Sequence, residues 1–166
     1  KFPVVVKIGH NFSNLAGMVN RIYAHDAKGV VLFNRFYEPD IDIENMQFTS
    51  SSIFSTPSEI RQSLRWVGLL SALIKNVEIS SSTGVHDYTG AIKMLLAGAQ
   101  TVQVCSTLYK NGVDELKEIV SGISAWIDTK GYKSVNDIRG LMNYKQIEDP
   151  SIYERAQFMK YFSTVE

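Results

Sequence analysis

The sequence lacks the features of several protein classes. Its 166 residues include one cysteine, Cys105, which excludes an internal disulfide framework and a cysteine-rich metal site. Seventeen basic residues balance seventeen acidic ones, so the chain has no electrostatic basis for binding nucleic acid or an anionic membrane. No run reaches the roughly 18 apolar residues of a membrane span, and the first residues lack the parts of a signal peptide. We therefore expect a soluble cytoplasmic protein with no nucleic-acid or membrane partner.

Metal binding is not expected either. The three histidines, His10, His25 and His86, lie far apart without the spacing of metal ligands. Four acidic residues between 38 and 44 alternate along the chain, and this pattern is typical of the solvated face of a hairpin. Cys105 ends an apolar segment, where a small inert thiol is the ordinary interpretation rather than a nucleophile.

The sequence does contain enough apolar material for a packed domain. Hydrophobic residues make up 45% of the chain, and they include eight Phe, eight Tyr and two Trp. Four short segments are rich in β-branched residues and apolar at successive positions, which predicts strands buried on both faces of a parallel sheet. These segments cover residues 4–8, 29–33, 77–80 and 101–105.

A helical pattern follows each predicted strand. The predicted helices cover residues 14–25, 60–73, 88–98 and 112–127. Ser13, Thr56 and Asp87 are the expected N-caps of the first three, and Thr56 is followed by Pro57 and Glu59 in the pattern of a capping box. The chain is therefore predicted to contain four consecutive β-α units.

Two regions fall outside this repeat. The connection over residues 35–55 is unusually long, and the alternation in IDIENMQFTSSSIF predicts a β-hairpin within it. Near the C-terminus, Ser134 is expected to cap one short helix and Asp149-Pro150 to open another. That last helix is predicted to carry Tyr153, Phe158 and Tyr161. We divide the chain into a main unit, residues 1–141, and a helical extension, residues 142–166.

The four units fit either a small open α/β sheet or half of a (β/α)8 TIM barrel, which in full needs about 200–250 residues. Length favours the half-barrel, and we expect the chain to supply the last four units. An isolated half-barrel exposes two edge strands. We therefore expect it to pair with a missing N-terminal half or with a second copy of itself as a homodimer.

Small residues end two neighbouring predicted strands, in Ser82-Thr83-Gly84-Val85 and in Cys105-Ser106-Thr107. Small side chains let backbone N–H groups approach a phosphate, and a helix that starts there adds a favourable dipole. In barrels the loops after the seventh and eighth strands are a common phosphate site. Small residues also simply allow turns to close, but their occurrence in two consecutive units favours a phosphate site.

Five segments together resemble the C-terminal half of dihydroorotate dehydrogenases and related FMN-binding barrels. They are PVVVKIG, VVLFN, STGVHD, AGAQTVQVCSTLYKNG and GYKSVNDIRG, and the resemblance covers residues 2–141. It implies an FMN-dependent oxidoreductase that oxidises dihydroorotate or a related dihydropyrimidine in pyrimidine biosynthesis. The family's proton-abstracting Cys or Ser lies in its N-terminal half, so the resemblance places the catalytic base outside this chain and implies that the chain alone is inactive.

The resemblance also assigns roles to individual residues. Lys7 corresponds to a catalytic lysine beside the pyrimidine edge of the flavin, where a fixed cation stabilises the reduced ring. Asn34 corresponds to an asparagine that hydrogen-bonds the planar substrate. The FMN phosphate is expected on backbone N–H groups of the two small-residue loops, with hydroxyl groups near it. The expected cofactor-binding residues, besides Lys7, are Thr83, Gly84, Val85, Cys105, Ser106 and Thr107.

The sequence departs from the family pattern at three places. Gly84-Val85 replaces a pair of glycines and Cys105-Ser106 replaces Gly-Thr, changes that keep the backbone donors. Arg35 stands where the family tends to have a small hydroxyl residue facing the substrate. This allows another planar substrate or a more acidic one, or an arginine turned outward to Glu38 or Asp40. Two other functions stay open: a phosphate-binding lyase or isomerase without flavin, and a non-catalytic half-barrel that associates with itself.

Overall fold

A computed structural model describes residues 2–36, 38–50 and 52–154 of the chain. Its strands are β1 (Val5–Ile8), β2 (Gly29–Leu32), β3 (Pro39–Asp42), β4 (Gln47–Ser50), β5 (Glu78–Ser81) and β6 (Thr101–Val102). Its helices are α1 (Leu15–Ala24), α2 (Ile60–Leu73), α3 (Tyr88–Ala97), α4 (Ser106–Asn111), α5 (Glu115–Thr129), α6 (Val135–Ile138) and α7 (Ser151–Glu154). A 3₁₀ turn, Pro57–Glu59, leads into α2.

The four predicted β-α strands form one parallel sheet in the order β1-β2-β5-β6. Spatial order follows chain order because the helical structure after each strand returns the chain to the amino ends of the strands, beside the strand just completed. The predicted α/β architecture is confirmed. Within the described residues β1 and β6 are the two edges of this sheet.

The two faces of the sheet differ in what covers them. The helices pack on the face that carries Ile8, Val30, Leu32 and Ile79, and their side chains complete the main core. The helix residues of this core include Leu15, Val19, Val67, Leu70, Ala91, Met94 and Ile119. The opposite face is covered less, and Val5 on it is 53% exposed. The prediction that all four strands are buried on both faces is therefore wrong for the edge strands, because helices cover one face only.

Register places one row of residues across that less covered face. Lys7 pairs with Val31, Val31 with Ser80, and Ser80 with Thr101. Partners in a parallel ladder point to the same side of the sheet. The Ser80 hydroxyl in this row is buried and has no hydrogen-bond partner among the described residues.

Local sequence signals set most of the helix boundaries. Asp87 caps α3, since its carboxylate accepts a hydrogen bond from Gly90 N at 2.8 Å, and Gly98 ends the helix at φ +112°. The capping box is also present, because Thr56 N donates to Glu59 Oε1 at 2.7 Å. The predicted cap of α1 is wrong: the side chain that accepts from Gly17 N is Asn14, one residue after Ser13.

The region after β6 differs from the prediction. The strand ends at Val102 rather than at residue 105, and a separate helix of six residues, α4, precedes α5. Gln103 N still donates to Ser81 O at 2.8 Å, so the chain stays beside β5 beyond the end of the strand. Ser106–Asn111 was not predicted to be helical.

The hairpin and the C-terminal helices agree with the sequence. Strands β3 and β4 pair antiparallel within the long connection, and Ser134 begins α6 with a capping box closed by Asp137. Helix α7 follows Asp149-Pro150. Tyr37, Phe158 and Tyr161 lie outside the described residues. None of the helices in the described part of the chain is long and apolar enough to cross a membrane.

Candidate functional site

A cleft of about 260 Å³ lies at the carboxyl ends of the parallel strands. Ligands of open α/β sheets bind at this edge, because the strand-to-helix loops meet there. Seven of the residues predicted from the sequence line it: Lys7, Asn34, Thr83, Gly84, Val85, Cys105 and Ser106. The fold therefore brings together residues that are up to 99 positions apart, which is 106 minus 7.

Lys7 projects from the third position of β1 on the less covered face of the sheet. Its side chain is exposed, and no ion pair or hydrogen bond holds its ammonium within residues 2–36, 38–50 and 52–154. The positive charge at the cleft is thus available to a ligand.

Two loops contribute backbone donors to the cleft. The N–H groups of Gly84, Val85, Cys105 and Ser106 have no acceptor among the described residues. Gly84 and Val85 are buried, and buried backbone donors nearly always have a partner. An anion bound between the loops would supply the acceptors. The donor set therefore fits a phosphate group.

Packing of the loop, as well as ligand binding, calls for a glycine at position 84. Its φ is +79°, and a Cβ placed there would lie 2.2 Å from Ile60 N and 2.7 Å from Ile60 Cα. Thr83 before it also has a positive φ, +78°, and its hydroxyl donates to Phe33 O at 3.3 Å. Glycine is therefore required for the loop to pack on the backbone at the start of α2, a reason that the sequence alone did not show.

The helix ends contribute less to an anion site than the sequence predicted. Asp87 occupies the start of α3, where it accepts from the Thr89 hydroxyl at 2.6 Å and from Gly90 N at 2.8 Å. Burial raises the pKa of Asp87, but these hydrogen bonds outweigh it and leave the pKa below its ordinary value. Helix α4 has six residues. The free N–H groups of the loops, rather than the helix dipoles, are the main feature that suits an anion.

Arg35 lines the cleft but already has partners. Its Nε donates to Glu59 Oε2 at 2.9 Å, and its Nη1 donates to Ile53 O at 2.9 Å. The expected alternative partners, Glu38 and Asp40, are not the ones observed. Burial raises the pKa of Glu59, but the hydrogen bonds from Arg35 and from Thr56 N together outweigh burial and leave the pKa below its ordinary value. The carboxylate therefore stays charged.

A group of hydroxyls joins the long connection to the second loop. Ser55 N donates to Ser106 Oγ at 2.9 Å, and Ser55 Oγ donates to the same oxygen at 3.0 Å. His86 Nε2 lies 3.1 Å from Ser55 Oγ. Ser55 is 5% exposed and lines the cleft. Neither Ser55 nor the ring of His86 was predicted to belong to the site, because nothing local in the sequence links them.

Thr107 lies outside the lining of the cleft. Its side chain is fully buried, and its hydroxyl donates to His86 O at 2.8 Å and accepts from Asn111 Nδ2 at 3.0 Å. Both bonds are internal to the fold. In the structure this hydroxyl therefore supports the loops from behind.

A second cleft of about 720 Å³ lies beside the first and shares Asn34, Arg35 and Thr83 with it. Its other lining residues include His10 and Glu38. In the described part of the chain, no three His, Cys, Asp or Glu side chains lie together in a way that could hold a metal ion. Two cations without a partner among the described residues line these clefts, Lys7 in the first and Arg61 in the second.

The chain is similar to known proteins over most of its length. No protein-family model matches the chain. Catalytic subunits of dihydroorotate dehydrogenase B (NAD(+)) do: the one from Pyrococcus furiosus is 30% identical over 142 residues, and the one from Methanosarcina acetivorans is 31% identical over 143. The chain is a homologue of the dihydroorotate dehydrogenases. Each match covers 84% of the chain but 47% and 45% of the relative, so the chain spans about half the length of these relatives.

The chain also has a similar fold to a solved structure. A crystal structure of DHODH from Eimeria tenella in complex with ferulenol superposes with a TM-score of 0.68. The match covers 84% of this chain and 38% of that one, at 17% identity. The four-stranded parallel sheet and its helices thus have the fold of part of a dihydroorotate dehydrogenase.

Proposed function

We propose that this chain is the C-terminal, cofactor-binding half of an FMN-dependent oxidoreductase barrel of the dihydroorotate dehydrogenase kind. The observation that carries the proposal is the convergence of a free lysine, an amide side chain and free backbone donors in one cleft. The relatives' names supply the substrate, dihydroorotate, and the family resemblance of the sequence is the reason for proposing a role in pyrimidine biosynthesis.

The phosphate end of the cofactor fits the two loops. The backbone N–H groups of Gly84, Val85, Cys105 and Ser106 have no acceptors among the residues that the structure describes, and the side chains there are small. A phosphate monoester would accept from several of these donors at once. Thr83 would sit beside the phosphate as part of the lining, whereas Thr107 would hold the loop that carries Ser106.

Two other residues that line the cleft, Lys7 and Asn34, fit the reactive ring and the substrate. When bound, FMN supplies the acceptor for a hydride from the substrate. Lys7 would place its ammonium beside the ring at the position where negative charge develops. No protein carboxylate in the described residues neutralises this ammonium, so its charge is available to the ring. Asn34 would orient the substrate, since its amide can both donate and accept a hydrogen bond. The proton-abstracting base is expected outside this chain.

Arg35 does not conflict with a dihydropyrimidine substrate. Glu59 balances its charge, and two of its nitrogens are already engaged. The arginine therefore adds little uncompensated positive charge to the cleft. Arg35 is therefore compatible with the family's ordinary substrate.

The less covered face of the sheet suggests what completes the barrel. Val5 is 53% exposed there, and the buried Ser80 hydroxyl has no partner among the described residues. Interiors of (β/α)8 barrels are filled by side chains from alternate strands. We propose that further strands of the same protein, or those of a second copy, cover this face and pair with β1 and β6.

The test uses the intact protein that contains this chain. Its absorbance between 350 and 500 nm shows whether flavin is bound, and anaerobic addition of dihydroorotate should bleach the band near 450 nm. Lys7→Met should retain the flavin and bleach more slowly. A protein that is purified colourless and does not bind added FMN would overturn the proposal and favour a phosphate-binding lyase or isomerase. Sedimentation of the same sample reports whether a second copy is present.

A further inference from the structure

Three side chains from distant parts of the sequence form a continuous hydrogen-bond chain that reaches the cleft. Ser55 ends the long connection, His86 follows the first loop, and Ser106 opens α4 after the second loop. The successive distances are 3.1 Å from His86 Nε2 to Ser55 Oγ and 3.0 Å from Ser55 Oγ to Ser106 Oγ. Ser55 N adds a second bond to Ser106 Oγ at 2.9 Å.

The direction of the bond from Ser55 Oγ to Ser106 Oγ sets the direction of the whole chain. A serine hydroxyl has one hydrogen to donate and two lone pairs that accept. Ser106 Oγ accepts from both Ser55 N and Ser55 Oγ, so both lone pairs are used, and its own hydrogen has no acceptor in the part of the chain that the structure describes. Because Ser55 Oγ donates to Ser106, the bond to His86 is made by Nε2–H of the imidazole. Every hydrogen in the chain therefore points from His86 towards Ser106.

The surroundings hold this arrangement in place. Ser55 is 5% exposed, which keeps water from replacing its partners. Beside it, the Phe54 ring lies 5.6 Å from that of Tyr109, and Lys110 Nζ donates to Ser55 O at 3.3 Å. The end of the long connection is thus docked on α4 by contacts independent of the hydroxyls.

We propose that Ser55 and His86 are positioning residues, which direct the free Ser106 hydroxyl hydrogen into the cleft to bind a phosphate monoester. The inference rests on the proposed function, since it concerns the phosphate end of the same cofactor. Its consequence is selectivity: the hydrogen-bond chain strengthens binding of a phosphorylated ligand and has no effect on the rest of that ligand.

FMN and riboflavin separate this role from a structural one, because riboflavin is the same ring system without the phosphate. Each flavin is titrated into flavin-free intact protein while flavin fluorescence is followed. Ser55→Ala and His86→Leu should each weaken FMN binding by roughly threefold to tenfold, the value of one hydrogen bond, and leave riboflavin binding unchanged. His86→Gln keeps an N–H donor and should restore much of the FMN affinity.

The matched control is Ser71→Ala. Ser71 lies in α2 outside the lining of both clefts, and its part-buried hydroxyl donates to Ala97 O at 2.8 Å. This variant should bind both flavins as the unmodified protein does.

Each outcome is decisive. Equal losses for FMN and riboflavin in Ser55→Ala would overturn the inference and indicate a purely structural role, and so would unchanged FMN binding in both variants. If the unmodified protein shows no preference for FMN over riboflavin, the proposed function fails and the inference fails with it. If it prefers FMN but the variants keep that preference, only the inference fails.

Discussion

Gly84 offers the sharpest test of how the first loop is built. The residue has φ +79°, and an added Cβ would lie 2.2 Å from Ile60 N. Left-handed backbone costs a residue other than glycine about 1–2 kcal/mol. Overpacking against a backbone that must move costs about 1–3 kcal/mol more. Gly84→Ala should therefore lower the free energy of unfolding by about 2–5 kcal/mol.

Gly131→Ala is the matched control. Gly131 has a similar φ of +75°, but nothing lies within 4 Å of the position of its added Cβ. This variant should lose only the backbone part, about 1–2 kcal/mol. Urea denaturation of both variants measures the difference, provided that the slope of the free energy with urea stays constant.

The comparison also separates two reasons for the glycine. If Gly84 is needed only for the close approach of a ligand, the free energy of unfolding should fall equally in the two variants. Of the two, only Gly84→Ala should then lose flavin binding. Equal destabilisation of the two variants would refute our reasoning that the loop packs on α2. A larger loss for Gly84→Ala would show that packing requires the glycine even without ligand.

Three further predictions concern groups around the cleft. The pKa of Glu59 is lowered in the fold, so its contribution to stability is present above its ordinary pKa of 4.5 and is lost as pH falls through the lowered value. The thermal stability of Glu59→Gln should therefore vary less with pH in this acidic range than that of the unmodified protein. An unchanged pH profile would contradict the ion pair. Thr107→Val should lower the free energy of unfolding by about 2 kcal/mol because it removes two internal hydrogen bonds. Thr107→Ser should keep both bonds. If Thr107→Val instead loses flavin binding at unchanged stability, the hydroxyl contacts the ligand directly. In urea denaturation, Asp87→Ala should lower the free energy of unfolding by about 1 kcal/mol, and Asp87→Asn should lower it much less because asparagine can also cap α3. Equal losses in the two variants would argue against the cap.

The sequence predicts those parts of the fold that depend on neighbouring residues. Asp87 and Gly98 mark the two ends of α3 because a cap and a left-handed glycine act within one turn. Thr56 and Glu59 mark the start of the 3₁₀ turn and α2 in the same way. The predicted hairpin follows from alternation alone. The errors at Ser13 and in Ser106–Asn111 arise where two adjacent residues could both act as a cap, or where a helix is too short to show a period.

The site was only partly predictable, for a different reason. The two small-residue loops were identified because each ends a predicted strand, and parallel strands bring such ends together on one side of a sheet. Lys7 and Asn34 were identified by the resemblance to the dihydroorotate dehydrogenases. The contacts of Arg35 and Ser55 join positions 24 and 51 residues apart. No local pattern specifies contacts of that kind, since they depend on how a long connection folds back over the sheet.

The long connection can therefore be divided by function. Arg35 at its start donates to Ile53 O near its end, while Glu59 holds the same guanidinium from the start of α2. These bonds close the connection into a loop whose base borders the cleft and whose β3-β4 hairpin extends away, with Met46 89% and Phe48 80% exposed. Substitutions at the hairpin tip should leave the cleft intact, because the base is fixed by its own contacts. Substitutions at Arg35 or Ser55 act on the cleft directly, so residues at the base of the connection belong to the site although most of the connection does not.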